Sequence, residues 1–303
     1  MMAGVFVFGS TPELAAEALA CASEAGRRAT VVTTGGQDAQ EYRSLDCEGI
    51  VHVQGGNPLP EAYAADVAAL LEDRGAQAFV VCGDPTGRDL AARVAGLLDA
   101  PMVSEASVLR IEDGGIVAHR LAFGGAVVRR ERIAGFGVVS VAPGAWTPSA
   151  PPDADAPVEM ADGNPDARMQ LMEVRPLEKG TVDLTKAERI VCAGMAFSTK
   201  EELEAAYRVA RALDAELGCS RGLAEDHHWF SEYIGLSGVQ VAPKLYLGLG
   251  ISGQVQHTVG IRGAQVVVAV NKDAAAPIMN ACDYGVVGDL FAVSDALVEA
   301  LGR

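Results

Sequence analysis

VAPKLYLGLGISGQVQHTVGIRGAQVVVAVNKDAAAPIMNACDYGVVGDLF, residues Val241–Phe291, decides how this chain is read. Three short apolar runs, Leu245–Leu249, Gln265–Val270 and Tyr284–Val287, read as strands, and a small or polar group follows each: Ser252 to His257, Asn271 to Asp273, and Asp289. Apolar runs without alternation suit a parallel sheet covered on both faces. In such sheets ligands sit beyond the carboxyl ends of the strands. Polar groups gathered there need partners, because a buried polar atom without one is costly. Gly250 and Gly253 permit a tight turn and close approach of backbone to a ligand. A short helix over Gln254–Val259 would aim free amides at the crevice, which favours phosphate or an anionic ring. Ile278–Ala281 is a further short segment, and Asp289 caps a last helix with Phe291, Leu297 and Leu301 inward.

Upstream the pattern repeats. Arg189–Ala193 reads as a strand followed by Met195 to Ser198. Thr199 is a candidate cap for a helix over Lys200–Leu217, with Leu203, Tyr207, Ala210 and Leu213 inward and Gly218 as the stop. Cys219-Ser220-Arg221 is a strand or its exit, and residues 222–240 form a polar loop holding Gly235-Leu236-Ser237-Gly238. In the first half, strands at Gly4–Phe8, Ala29–Val32, Ile50–Val53 and Ala78–Cys82 alternate with helices, the first capped by Thr11 and another over Glu61–Leu71. The turn GDPTGRD after Cys82 lacks the spacing and lysine of a phosphate loop and reads as a turn into an amphipathic helix. Met102–Ile111, Gly115–Leu121 and Val127–Arg130 are strand-like, and Gly137–Val141 is a last buried strand. The fold class is therefore α/β, with two three-layer α/β domains and a doubly wound parallel sheet in the C-terminal one. The expected domains are 1–184, ending in a proline-rich and acidic connector over about 143–184, and 185–303. Met169–Val174 could add a strand or pack against a neighbour.

Composition narrows the function. Half of the 303 residues are hydrophobic and 21% are charged, which suits a globular chain. A net charge of −16 repels phosphate backbones and argues against a nucleic-acid partner. The six cysteines show no metal spacing, and several sit in apolar strands, the pattern of reduced thiols in a cytoplasmic protein. No window approaches the ~20 apolar residues of a membrane helix, and the N-terminus reads as a first strand. The pair His227-His228 lacks a second cluster of metal ligands, and no nucleophile elbow or reactive-cysteine signature is present.

The runs LYLGLGISGQVQH, VVVAVNKDAAAPI and DYGVVGDLF, with weaker matches at GRDLAARVAGLLDAPMVSEAS and RLAFGGAVV, resemble electron-transfer flavoprotein α subunits, including FixB-like members. The resemblance implies noncovalent FAD in the C-terminal domain and a heterodimer with a β subunit. It implies that Ser220 and Arg221 are the family's Ser-Arg pair, the arginine stabilising reduced, anionic forms of the ring. It implies that Gly235, Leu236, Ser237 and Gly238 match a Gly-Gln-Thr-Gly turn, with Ser237 at the flavin N5 side. By the same resemblance Ser252, Gly253, Gln254, Val255, Gln256 and His257 wrap the cofactor, with His257 near the C2 carbonyl. Asn271, Asp289 and Leu290 would meet the ribityl-to-adenosine part. Two positions depart from the pattern. Met195 stands where the family has arginine in Gly-Gly-Arg-Gly, and Leu236 stands for glutamine.

The expected function is that of an electron carrier working between a donor and an acyl-CoA-type or other dehydrogenase or reductase. An electron carrier is expected rather than a substrate-converting enzyme, with no catalytic residues assigned. The alternative is a free-standing oxidoreductase using FAD or a nicotinamide on its own small substrate. A third reading, a cofactor-free subunit kept for assembly, is motivated by Met195 and Leu236.

Overall fold

The computed structural model describes residues 4–112, 114–123, 127–142, 144–148, 155–174 and 183–302. The chain divides into two compact units, 1–175 and 176–303. In the first unit the strands are β1 (Val5–Phe8), β2 (Ala29–Thr34), β3 (Gly49–Gln54), β4 (Ala78–Cys82), β5 (Met102–Glu112), β6 (Gly115–Ala122), β7 (Val127–Ala134), β8 (Gly137–Val141) and β9 (Val158–Asp162). They form one sheet in the order β7-β6-β5-β8-β4-β1-β2-β3-β9. The ladder from β5 through β8 to β9 is parallel, whereas β5, β6 and β7 make an antiparallel meander.

Alternation along the central strands builds two cores. Val5, Val7, Ala78 and Val80 pack with α1 (Pro12–Glu24), while Phe6, Phe8, Phe79 and Val81 pack with α2 (Ala64–Asp73) and α3 (Pro85–Leu97). Thr11 caps α1 as its sequence indicates, its hydroxyl accepting from Leu14 N at 3.4 Å. Residues 60–63, expected to open a helix, make a tighter 3-10 turn before α2.

The stretch expected to be a connector contributes structure to this unit. β9 pairs parallel to β3 from Ile50↔Val158 to Gln54↔Asp162, so backbone hydrogen bonding draws an acidic segment onto the sheet edge. Residues 170–174 form no strand, although Met169 packs against the core. Residues 149–154 and 175–182 of the expected connector, and 124–126 of the RLAFGGAVV run, lie outside the described residues.

The second unit is organised by β10 (Arg189–Ala193), β11 (Glu216–Cys219), β12 (Leu245–Leu249), β13 (Val267–Asn271) and β14 (Tyr284–Val287), in the order β11-β10-β12-β13-β14 and all parallel. The strand order reverses between β10 and β12, which is where a doubly wound sheet opens a crevice. The helices are α4 (Leu203–Leu213), α5 (Arg221–Glu225), α6 (Val255–Val259) and α7 (Leu290–Ala300). Val191, Leu247, Leu249 and Val270 face the core shared with α4 and α7. Ile190, Cys192, Tyr246 and Ala269 face the other core, closed by Ile234, Val241, Ile251 and Ile278 from largely non-helical segments.

Five readings of this unit are corrected. The helix expected over Lys200–Leu217 is four residues shorter at its C-terminus, because Asp214 adopts φ 52°, ψ 52° and ends it, and Glu216–Cys219 joins the sheet as β11. Gly218 therefore lies inside a strand, and the Thr199 hydroxyl serves a turn that precedes α4. Tyr207 is 45% exposed, the inner face being Leu203, Ala206, Val209 and Ala210, and Leu301 lies at the exposed end of α7. The cap on α7 is as read: Asp289 Oδ1 accepts from Phe291 N and Ala292 N, both at 3.0 Å.

Candidate functional site

The crevice follows from how the strands end. Ser220 N donates to Ala193 O, Gly194 N to Leu249 O and Gly250 N to Val270 O, each at 2.9 Å. These bonds fasten each strand exit to its neighbour and leave the following residues to spread apart. The close passage needs glycine at two places. A Cβ on Gly194 would strike the Gly250 carbonyl, and Gly253, at φ +83°, has the Ile278 backbone where its Cβ would stand.

A cavity of about 350 Å³ opens between the ends of β10, β11 and β12. Met195 follows β10; Ser220, Arg221, Gly222 and Asp226 follow β11; Gly250, Ile251, Ser252, Gln254, Gln256 and His257 follow β12. The wall is completed by the loop from Tyr233 to Ser237. That loop is held by Leu236 N donating to Gln256 O at 2.7 Å, by Gly235 N to Val239 O at 3.1 Å, and by a 3.0 Å hydrogen bond between the Tyr233 and Ser237 hydroxyls.

Of the residues expected at the site, Ser220, Arg221, Gly235, Leu236, Ser237, Ser252, Gln254, Gln256 and His257 line this cavity together. The others support it from outside the lining. Gly238 turns the loop through its N–H to Gly235 O, Gly253 turns the chain just ahead of α6, and Val255 is the first residue of that helix. Asn271 Nδ2 donates to Ile251 O at 2.8 Å and so fixes the exit of β12. Asp289 is spent on the α7 cap, and Leu290 is buried in the core with its side chain facing Gly250. Gly250, expected to bring backbone close to a ligand, lines the cavity, and Gly222, Asp226, Tyr233, Ile234 and Ile251 line it without having been expected there. Tyr233 and Ile234, an aromatic and a β-branched residue directly before Gly235, were the signal available for that loop. The dipole expected of the helix at Gln254 is weak, since α6 spans only five residues.

The electrostatics are set by few groups. Arg221 is the basic side chain of the lining and makes a 3.3 Å ion pair with Glu225, one turn along α5. Asp226 is the acid of the lining. Met195, 52% exposed, lies with its sulfur over Gly222, so the position offers polarizable apolar surface and no charge. His257 is only 7% exposed. Its Nε2 lies 2.7 Å from the Tyr246 hydroxyl, and burial pushes the imidazole down to about 4, opposed only in part by the Ile234 backbone. It is therefore neutral at physiological pH.

Two cavity-lining residues carry a buried polar atom with no hydrogen-bond partner, Ser220 Oγ and His257 Nδ1. Such atoms cost about 1–3 kcal/mol each unless a ligand satisfies them. With a nearby guanidinium, several hydroxyl and amide groups, and apolar surface from Met195, Ile234 and Ile251, the lining fits the heteroaromatic ring of a flavin. The volume suits a ring system, and the remainder of a dinucleotide would extend beyond it. Among the described residues no cluster of His, Cys, Asp and Glu suits a metal ion, and no helix is long and apolar enough to cross a membrane.

Comparisons with known proteins identify the family. Residues 183–262 match the family described as the electron transfer flavoprotein FAD-binding domain, and residues 9–166 match the electron transfer flavoprotein domain. The chain is 36% identical over 306 residues to YdiR of Escherichia coli (strain K12), named for an electron transfer flavoprotein subunit, covering 99% of this chain and 98% of that protein. It is 31% identical over 308 residues to protein FixB of Escherichia coli O6:K15:H31 (strain 536 / UPEC), with the same coverage. A solved Rhodococcus jostii RHA1 thiamine diphosphate-dependent 4-hydroxybenzoylformate decarboxylase aligns at 13% identity and a TM-score of 0.25, covering 98% of this chain and 59% of that one, which carries no argument. With the family matched along both units and the relatives matched end to end, the chain belongs to the electron transfer flavoprotein family, as an α-type subunit bearing the FAD-binding domain.

Proposed function

We propose that the cavity between the ends of β10 and β12 receives the redox-active ring of FAD, and that the chain works as the α half of a heterodimer with a β subunit. In this reading the chain passes electrons between a donor and a dehydrogenase or reductase in the cytoplasm. The observation that carries the site assignment is the pair of buried, unpartnered polar atoms, Ser220 Oγ and His257 Nδ1, on one cavity that also receives Arg221. FAD, when bound, supplies reversible electron uptake.

The protein's own residues supply the rest. Arg221 brings a guanidinium, kept near the lining by Glu225, to a ring that gains negative charge on reduction, and so favours the reduced state. Ser220, Ser237 and Ser252 offer short hydroxyls, and Gln254 and Gln256 offer amides that can donate or accept. His257 contributes a neutral ring. Asn271, Asp289 and Leu290 act by holding the strand exits from which an adenosine portion would be reached. Met195 and Leu236, where the family carries arginine and glutamine, replace polar contacts with apolar surface, so the ring is gripped chiefly from the Ser220 and His257 sides. The proposed domain limit at 184/185 lies nine residues beyond the division of the compact units at 175/176, close to the start of the FAD-binding match at residue 183.

The test is to purify the chain together with a β subunit, denature the complex, and count the FAD released per heterodimer. Stoichiometric yellow chromophore lost in a Ser220→Ala, Arg221→Ala double variant supports the site. Full FAD content in that variant would place the cofactor elsewhere.

A further inference from the structure

Tyr246 is fully buried on β12, and its hydroxyl meets His257 Nε2 at 2.7 Å, inside the core rather than at the surface. One proton lies between these two atoms, and where it sits decides what the other side of the imidazole can do. If the tyrosine donates, Nε2 is the acceptor and the histidine proton is on Nδ1. If the histidine donates, Nδ1 is left as a bare acceptor and the tyrosine proton needs another home.

The buried Cys192 thiol on the adjacent strand β10 lies close to the same hydroxyl. A thiol sulfur is a weak acceptor, whereas an imidazole nitrogen is a strong one. The tyrosine proton is therefore best placed on the bond to Nε2, the one hydrogen bond the hydroxyl makes among the described residues. Nδ1 is the buried atom without a partner.

We propose that Tyr246 is a positioning residue: by donating to Nε2 it fixes His257 in the Nδ1–H form, so that this cavity-lining histidine meets a ligand as a neutral hydrogen-bond donor. The ligand group it selects is an acceptor, such as a ring carbonyl oxygen. The identity of that ligand rests on the FAD reading above, but the proton arrangement does not. Tyr246 itself does not line the cavity and acts only through His257.

The experiment is 15N NMR of histidine-labelled full-length chain, first without and then with FAD, with the His257 signals assigned by their loss in His257→Gln. The expected result is an Nδ1–H imidazole in the parent chain. In Tyr246→Phe, which keeps the ring and removes only the hydroxyl, the signals should move toward the Nε2–H form or a mixture. FAD dissociation should then rise about tenfold, the effect of about one hydrogen bond. An Nε2–H imidazole in the parent, or an unchanged tautomer in Tyr246→Phe, overturns the proposal. If Tyr246→Phe does not fold, the parent spectrum decides alone. Failure of FAD to bind with an Nδ1–H imidazole present would count against the cofactor reading and leave the positioning role standing.

Discussion

The two units end their central strands in opposite ways. In the first unit, between β1 and β4, the polar groups satisfy one another. Ser10 Oγ donates to Asp84 Oδ2 at 2.9 Å, while Asp84 Oδ1 accepts from Gly87 N at 3.2 Å and caps α3. Gln37 Nε2 donates to Gly9 O at 2.9 Å and to the Tyr42 hydroxyl at 2.6 Å. Away from that junction, Thr34 Oγ1 at the end of neighbouring β2, and Glu61 Oε2 and Asp66 Oδ2 around the start of α2, are buried without a partner. In the second unit, between β10 and β12, Ser220 Oγ and His257 Nδ1 are left open beside a cavity. Both sheets reverse strand order at these points. Topology thus supplies the crevice in each, and the completeness of the hydrogen bonding separates a closed end from a binding end.

Substitutions can break this contrast, the largest effect first. Gly253→Ala should cost about 4 kcal/mol, combining a positive-φ penalty with a clash against the Ile278 backbone. Urea denaturation followed by a probe in the second unit should show it, and a loss below about 1 kcal/mol would mean the β12 exit is more pliant than drawn.

Acid should act next. His257 is held neutral, its folded value lowered from 6.5 to about 4. Between those values the unfolded chain binds the proton and the folded chain does not, so stability falls as pH drops through that window. The full effect is about 3 kcal/mol. The difference between the pH–stability profiles of the parent and His257→Gln isolates this group, and parallel profiles would show that burial does not hold the imidazole neutral.

Arg221→Ala should lower the bound flavin's reduction potential by on the order of 60 mV, a tenfold shift for one electron. Redox titration reads it directly, and an unmoved potential removes Arg221 from the ring's surroundings. Smallest of all, Ser10→Ala in the closed end should cost about 1 kcal/mol of stability and leave FAD content untouched. A loss of FAD there would erase the distinction between the two ends.

Much of the site was legible because its signals are local. The apolar runs of Val241–Phe291 became β12, β13 and β14, and Asp289 capped α7 where its position before an apolar run indicated. Glycines at 250 and 253 took the positive φ that a sharp strand exit requires. What was misread depended on distant partners. No glycine or proline stands between Leu213 and Leu217, so the helix seemed to continue. Pairing of Ile190 through Ala193 with Glu216 through Cys219 instead drew those residues into the sheet. β9 carries little apolar pattern, and only its ladder with β3 makes it a strand.

The chain's order of apolar runs, turns and caps determined the fold class and the strand ends at which polar residues would collect, because secondary-structure period and capping are written in neighbouring residues. Tertiary structure alone decided which of those residues face one cavity. Gly238, Gly253, Val255, Asn271, Asp289 and Leu290 were assigned elsewhere or to support, and Tyr233 and Ile234 were brought in. It also decided that His257 stands against Tyr246, eleven residues away across the turn. Such pairings depend on which buried polar atoms are satisfied from across the sheet, a property of the packed chain and not of its neighbours in sequence.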